Sequence, residues 1–154
     1  CKIGCDVMAR YVNSRVTINM HEVKRLTQAA KTAVGMTAGA LHTDVVQRQV
    51  MPRDTGALQG EKTFVDLSEI SQGKAYLVHE GPYARRLYYH PEYNFHQQDW
   101  EETINKKDGS VVTIKHGSNP NAKGRWLDDY KAGGKKQNFC KQTFKKKYKR
   151  ISGV

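Results

Sequence analysis

The chain of 154 residues lacks an apolar run of the length needed to cross a membrane, which is about 18 residues. No charged, apolar and small-residue segment of the kind that forms a Sec signal opens it. It has only three cysteines, an odd number that argues against a disulfide scaffold and favours a reducing compartment. Area scaling indicates that a folded chain of 17.5 kDa exposes about 7,900 Å². We therefore expect a globular protein that buries a core without disulfide bonds or a membrane span.

Motifs typical of enzymes and metal proteins are also lacking. The sequence contains no G-x-x-x-x-G-K-[ST], G-x-S-x-G or H-E-x-x-H pattern. His90 and His96 are six residues apart, and this spacing does not match a two-pair zinc site. Its adjacent carboxylates, such as Asp128 and Asp129, would point in different directions on either a strand or a helix. We therefore expect no enzyme activity, no metal and no cofactor.

Acidic residues are missing from one end of the chain. The formal charge is +11, and residues 131–154 contain nine bases and no acid, which leaves 17 bases against 15 acids in residues 1–130. Such a segment attracts nucleic acid, an acidic protein or a membrane surface, and lysine-rich composition favours sequence-independent attraction. The candidate contacts for DNA or an acidic partner are Lys135, Lys136, Lys141, Lys145, Lys146, Lys147, Lys149 and Arg150.

A long helix is predicted from about Asn19 to Val50. Asn19 suits the N-cap position, and Glu22 stands where a capping box requires an acid. We expect Pro52 to end the helix. An apolar stripe at helical spacing marks one face: Val23, Leu26, Ala30, Val34, Thr37, Leu41 and Val45. A helix of this length, about 45 Å, exceeds what a small domain needs, so part of it is expected to pack on another molecule.

The remaining sequence alternates turns with short elements. Residues 52–56 are predicted to form a turn in which Asp54 bonds its own backbone and Gly56 takes a positive φ. Strands are expected at 58–70 and 74–79, joined by a turn at 71–73, followed by one or two helical turns at 83–89. Within an insertion at 91–125, a hairpin pairs 102–106 with 111–115 across the Asp-Gly turn at 107–109.

The C-terminal region is predicted to be a hinged helical arm. Gly133 and Gly134 are interpreted as the hinge, and residues 137–150 as a basic amphipathic helix. Its apolar face would contain Cys140, Phe144, Tyr148 and Ile151. The predicted organisation is thus a strand or arm at 1–18, an α+β core domain at 19–130 and a basic helical arm at 131–154.

Several short segments occur in an order typical of one family. After the long helix come Pro52-Arg53-Asp54-Thr55-Gly56-Ala57-Leu58, then Gly81-Pro82-Tyr83-Ala84-Arg85, Asn119-Pro120 and Gly124-Arg125-Trp126. The order resembles that of the minor capsid and tail-completion (head-tail joining) proteins of long-tailed bacteriophages. The resemblance covers roughly residues 20–150, while residues 1–18 and the hairpin depart from it. It implies an α+β fold in which a long N-terminal helix packs on a small, mostly antiparallel sheet, with a basic C-terminal helix.

The resemblance also implies a function. Identical copies would form a ring of six or twelve in the phage neck, a part of the virion that is assembled in the host cytoplasm and through which DNA passes. Its neighbours would be portal, adaptor or head-closure proteins on one side and a tail terminator or tail tube on the other. The implied turn residues are Pro52, Asp54, Thr55, Gly56 and Leu58. The implied packing and interface residues are Tyr83, Ala84, Arg85, Trp126, Val23, Leu26, Val34 and Leu41.

A second interpretation is a free nucleic-acid-binding protein. The aromatic and basic segment at 83–90 has residues that stack on bases and hold phosphates, although a buried helix whose tyrosines bond their hydroxyls at an interface is the favoured explanation. Together with the basic C-terminal helix, this segment would bind DNA or RNA without a ring. The two interpretations differ in whether the isolated protein binds nucleic acid and in whether it assembles.

Overall fold

A computed structural model describes residues 15–95 and 99–154. The fold is α+β, as predicted, although the predicted sheet is two separate two-stranded antiparallel sheets. The helices are α1 (Met20–Gln47), α2 (Ala84–Tyr89) and α3 (Phe139–Ser152), and the strands are β1 (Thr63–Asp66), β2 (Tyr76–His79), β3 (Trp100–Asn105) and β4 (Val111–His116). Most of the strand or arm predicted at 1–18 lies outside the described residues, and 15–18 have no regular secondary structure.

The start of α1 follows the predicted capping pattern in part. The Asn19 side chain accepts hydrogen bonds from the backbone N–H groups of His21 and Glu22, at 3.1 and 3.2 Å. The Glu22 carboxylate does not return the bond to Asn19, because it pairs with the guanidinium of Arg25 one turn further along. The helix therefore has the N-cap of a capping box without its reciprocal bond.

The prediction that Pro52 ends α1 was wrong, because the helix ends at Gln47. Gln49 has a φ of 51°, which takes the chain out of the helix three residues before the proline. Contacts from a distant loop satisfy the freed carbonyl groups. Asn121 Nδ2 donates to the Arg48 oxygen at 3.1 Å, and the Lys123 N–H donates to the Val50 oxygen at 3.0 Å. Tertiary hydrogen bonds, not the proline, fix this helix end.

The buried face of α1 overlaps the predicted stripe only in part, at Thr37 and Val45. Four residues are buried: Ala29, Ala33, Thr37 and Val45. Leu26, Val34 and Leu41 are only half-buried, and Val23 is 43% exposed. The smallest side chains lie deepest because α3 packs closely along this side of α1, and only small residues allow such an approach.

The basic C-terminal segment forms the predicted helix, and this helix lies against α1. Arg25 Nη1 donates to the Ser152 oxygen at 2.8 Å near one end, and Lys136 Nζ binds the Asp44 carboxylate at 2.6 Å near the other. The two helices therefore run antiparallel. Ser152 is buried while Ile151 is 37% exposed, so the predicted apolar face is correct for its first three members and wrong for Ile151.

The β1–β2 sheet is shorter than predicted. Only Thr63–Asp66 of the strand expected at 58–70 is extended, because 56–62 fold into successive turns and Ile70–Gln72 is a 3-10 turn. The register pairs Thr63 with His79 and Phe64 with Val78. Thr63 and its partner point towards the core, so the alternate residues of the two strands form an outer face.

The β3–β4 hairpin is confirmed, with Glu102 opposite Ile114 and Ile104 opposite Val112. All six residues of β3 are exposed. The segment after the hairpin, which lies within the predicted insertion at 91–125, packs on the core. Asn119 is buried, and its Nδ2 donates to the Met51 oxygen at 2.7 Å. This segment is needed to close the core at the end of α1.

The core is small for a chain of this length. Its central cluster consists of Val45, Val50, Met51 and Trp126, and the remaining buried hydrophobic side chains among the described residues are alanines. Half-buried side chains surround the cluster, including Leu58 and Tyr88. The end of α1 is therefore the structural centre of the molecule.

Candidate interface groove

The segments that carry the family resemblance meet around the end of α1. The turn at 52–58 and the segment at 81–84 both line one groove of about 730 Å³, although they are more than 20 residues apart in sequence. Trp100 and His116, at the base of the β3–β4 hairpin, complete its lining together with Phe95. The groove combines apolar side chains with charged groups that include Arg53, Lys62, Glu80 and Arg86.

The 52–58 turn has the predicted backbone shape. Gly56 has a φ of 90°, as expected, and its carbonyl oxygen accepts from the Gly60 N–H at 3.0 Å. Pro52 is buried and Leu58 is half-buried against the core, whereas Thr55 is exposed. The turn therefore fixes the chain between α1 and β1, and leaves its polar middle on the groove surface.

Asp54 has a different role from the one predicted. Its carboxylate is hydrogen-bonded to Nδ1 of His116 and not to its own backbone. Its carbonyl oxygen accepts from the Gly117 N–H at 2.9 Å. The His116 ring stacks on Trp100 with centroids 3.9 Å apart and an interplanar angle of 5°. The base of the hairpin is thus attached to the turn that follows α1.

The predicted packing residues at 83–85 comprise one buried and two exposed positions. Ala84 is buried, as predicted for a packing residue. Tyr83 is 66% exposed and Arg85 is also exposed, so neither packs within the subunit. The exposed Tyr83 ring lies at the edge of the groove, which it lines together with Leu87 and Arg86. It is therefore accessible to a partner that binds in the groove.

Trp126 anchors the C-terminal segment, as predicted, and is 1% exposed. Its ring makes edge contacts with His79 and Tyr88, at centroid distances of 5.6 and 4.9 Å. Its Nε1–H donates to His79 Nε2 at 3.4 Å. On the other side of that ring, Nδ1 lies 2.9 Å from Thr63 Oγ1, whose hydroxyl donates to the Leu58 oxygen. Since Nε2 accepts and Nδ1 donates, His79 is neutral in this arrangement.

Burial lowers the pKa of His79, and the nearby His42 acts in the same direction. The unfolded chain therefore binds a proton at higher pH than the folded one. Stability is complete above the unfolded pKa of about 6.5 and falls as the pH drops from there towards the lowered folded pKa. Protonation would also place an N–H on Nε2, facing the Trp126 donor.

We expect His79→Gln to reduce this pH dependence, because glutamine does not titrate. The measurement is the urea midpoint of both proteins at pH 7.5 and pH 5.5, and the wild type should lose more stability than the variant over this interval. His21→Gln, at an exposed position on α1, is the control and should behave as the wild type does. Equal losses in the wild type and His79→Gln would contradict the expectation.

A second site is the basic outer surface of α3. Lys136 is committed to Asp44, and the Tyr130 hydroxyl binds the same carboxylate. Burial and this bond to Asp44 raise the pKa of Tyr130 to about 12. Burial opposes ionisation of Asp44, but the bonds from Lys136 and Tyr130 outweigh it and lower its pKa. Within the described residues, no carboxylate binds the other seven candidate bases: Lys135, Lys141, Lys145, Lys146, Lys147, Lys149 and Arg150.

Other chemistry is not indicated in the part of the chain that the structure describes. It contains no group of three or more histidine, cysteine or acidic side chains arranged to hold a metal ion. Burial raises the pKa of Cys140, which keeps its thiol protonated beside the lysines of α3. No helix between residues 15 and 154, with 96–98 left aside, is both long and apolar enough to span a bilayer.

Sequence reasoning missed the pairing of Asp54 with His116 and the stacking of Trp100 on that histidine. The hairpin register places Trp100 opposite His116. A predicted hairpin extended to residues 100 and 116 would therefore have indicated this cross-strand pair. No local signal indicated Asp54, which is 62 residues away from His116.

Comparison of the chain with protein-family models, curated proteins and solved structures gives no match.

Proposed function

We propose that this chain is a structural virion protein of the phage neck, where identical copies form a ring that completes the head-tail joint around the DNA path. Portal, adaptor or head-closure proteins are its proposed neighbours on the head side, and a tail terminator or tail tube on the tail side. The proposal starts from the family resemblance. The observation that carries it further is that the subunit leaves an unusually large surface uncovered.

The accessible surface of the chain is 12059 Å², against about 7,900 Å² expected for a monomer of this mass. Residues 1–14 and 96–98 can contribute at most about 2,800 Å². With that area removed, about 9,300 Å² remains, still above the roughly 7,300 Å² expected for the rest of the chain. An excess of about 2,000 Å² matches what one subunit buries on two sides in a ring of large interfaces.

The exposed surface includes apolar side chains on several elements. Met20, Val23 and Met36 are exposed on α1, the helix against which α3 packs. Phe64 and Tyr76 are exposed on the outer face of the β1–β2 sheet. A two-stranded sheet is at best marginally stable alone in water, so cover from a neighbouring subunit would stabilise it. We therefore assign the uncovered parts of α1 and of this sheet to subunit contacts.

The groove suits the head-to-tail contact that a ring requires. Such a contact joins two different surfaces, so a recess on one copy receives a projecting part of the next. The β3–β4 hairpin projects from the same chain and exposes Ile104 and Val111. It cannot fill its own groove, because Trp100 and His116 at its base form part of the groove lining. A second copy is therefore the proposed occupant.

The test compares two exposed tyrosines of the same segment. Tyr83 lines the groove, whereas Tyr89, which is 59% exposed, does not. We expect Tyr83→Asp to shift the mass distribution of assembled protein towards monomer at least tenfold, because a carboxylate would be buried in the contact. Tyr89→Asp should assemble as the wild type does. Mass photometry of purified protein and of neck preparations provides the measurement.

Two outcomes would contradict the proposal. One is a wild-type protein that remains monomeric both alone and in assembled neck preparations. The other is equal assembly by the wild type and Tyr83→Asp, which would exclude the groove from the contact. Thermal unfolding of both variants should match the wild type, since both side chains are largely exposed, and this shows that any loss of assembly does not reflect misfolding.

A further inference from the structure

We propose that the outer surface of α3 binds the phosphate backbone of duplex DNA without sequence preference. The inference deepens the proposed function, because it assigns the partner of the surface that would face the DNA path. It rests on the number and arrangement of the bases, and on the lack of any carboxylate paired with them among residues 15–95 and 99–154. The opposite face of the helix packs on the body of the subunit.

The bases of α3 cover its solvent side. The helix contains six bases and no acid in 14 residues. With a step of 100° per residue, Lys145, Lys146, Lys149 and Arg150 span an arc of about 140°. The packed row of Cys140, Phe144 and Tyr148 lies on the other side. The four bases of this arc lie within about 8 Å along the helix axis, so the carboxylate-free surface presents several cations at once to a polyanion.

The composition of this surface favours nucleic acid over an acidic protein. Protein interfaces are depleted in lysine and need a buried apolar or aromatic centre. Ile151, the exposed large apolar side chain of α3, lies about 100° away from the nearest base of this arc by the same helical step. Lysines act on phosphates as point charges and have no preferred geometry, which suits attraction to DNA that moves past.

The helix is firmly attached, so its charges are ordered relative to the body. Ser152 is held by Arg25, and the segment before the helix by the Lys136–Asp44 pair. Phe144 and Tyr148 stack with centroids 5.8 Å apart. The basic arc is thus a surface of the folded subunit, and its repetition in a ring would line the DNA path with positive charge.

The experiment measures binding of the full chain to a 30-base-pair duplex of arbitrary sequence by fluorescence anisotropy between 50 and 200 mM NaCl. We expect a slope of log affinity against log salt of about −4.5, as for five phosphate contacts. The variant Lys145→Gln/Lys146→Gln/Lys149→Gln should reduce the slope by about 2 to 3 and lower affinity at least tenfold at 150 mM NaCl.

The matched control removes the same charge elsewhere. Arg15→Gln/Lys24→Gln/Lys74→Gln also changes three exposed bases, none of which lines the groove or lies in the β3–β4 hairpin, and it should leave the affinity within about twofold of the wild type. Equal losses in the two triple variants would overturn the inference, because net charge alone would then explain binding. Poly-glutamate of equal charge that binds as tightly as DNA, with the same dependence on α3, would also overturn it in favour of an acidic protein partner.

Mass photometry of the same samples separates the two proposals. Loss of DNA binding by the α3 variant with assembly retained supports both. DNA binding that depends on α3 in a protein that stays monomeric supports the inference and contradicts the ring, as expected of a free nucleic-acid-binding protein. Assembly by a variant that still binds DNA as the wild type does overturns the inference alone.

Discussion

Replacing Trp126 with alanine is expected to lower the free energy of unfolding by about 3 to 5 kcal/mol. Trp126 is the largest side chain of the central cluster, and it packs with Val45, Val50 and Met51. The truncation also removes the donor to His79 and leaves a cavity where three segments meet. For a domain of ordinary stability, this loss is a large share of the total free energy of unfolding. Urea denaturation followed by far-UV circular dichroism measures it.

Trp100→Ala is the matched control. Trp100 is 48% exposed and stacks on His116 at the edge of the groove, so its loss should cost about 1 kcal/mol or less. The two variants should also differ in tryptophan fluorescence. The buried indole that remains in Trp100→Ala should emit at shorter wavelength than the exposed one in Trp126→Ala. Similar losses of stability in both variants would show that Trp126 is not the centre of the core.

The elements that could be predicted from the sequence are those with local signals. Asn19 caps α1 through its own side chain, and the Asp-Gly turn defines the β3–β4 hairpin through local backbone preference. Gly56 takes its positive φ because the turn requires it. In each case the residues that determine the structure lie within a few positions of it. The α+β class follows once these elements are placed in order.

Features that depend on distant partners could not be predicted. The end of α1 is fixed by Asn121 and Lys123, which are more than 70 residues further along the chain. The buried face of α1 was predicted correctly at Thr37 and Val45 but not at Ala29 and Ala33, which carry weak hydrophobic signals and are buried by the close approach of α3. The groove likewise depends on Asp54 and His116 meeting across the fold. Periodicity reports which residues are apolar but not which neighbour covers them.

Gly134 gives the second large effect, and it reverses the interpretation of residues 133–134 as a hinge. A Cβ at this position would lie 2.5 Å from the Asp129 carbonyl oxygen and closer still to that of Asp128. The neighbouring backbone is tied to the same turn, since the Lys136 N–H donates to the Asp129 oxygen at 2.7 Å. Gly134 thus permits a close backbone approach that holds Lys136 beside Asp44.

Gly134→Ala is therefore expected to destabilise the protein by about 3 kcal/mol, because backbone atoms must move to admit one methyl group. The same substitution at Gly39, inside α1, should stabilise it by about 0.5 to 1 kcal/mol, since no atom lies within 4 Å of the added Cβ and alanine favours a helix. Urea denaturation of both variants measures the change in the free energy of unfolding, which should decrease for Gly134→Ala and increase for Gly39→Ala. If Gly134→Ala were tolerated within about 0.5 kcal/mol, the segment would be the flexible hinge that the sequence suggested. The start of α3, and with it the position of the basic surface, would then not be fixed by the core.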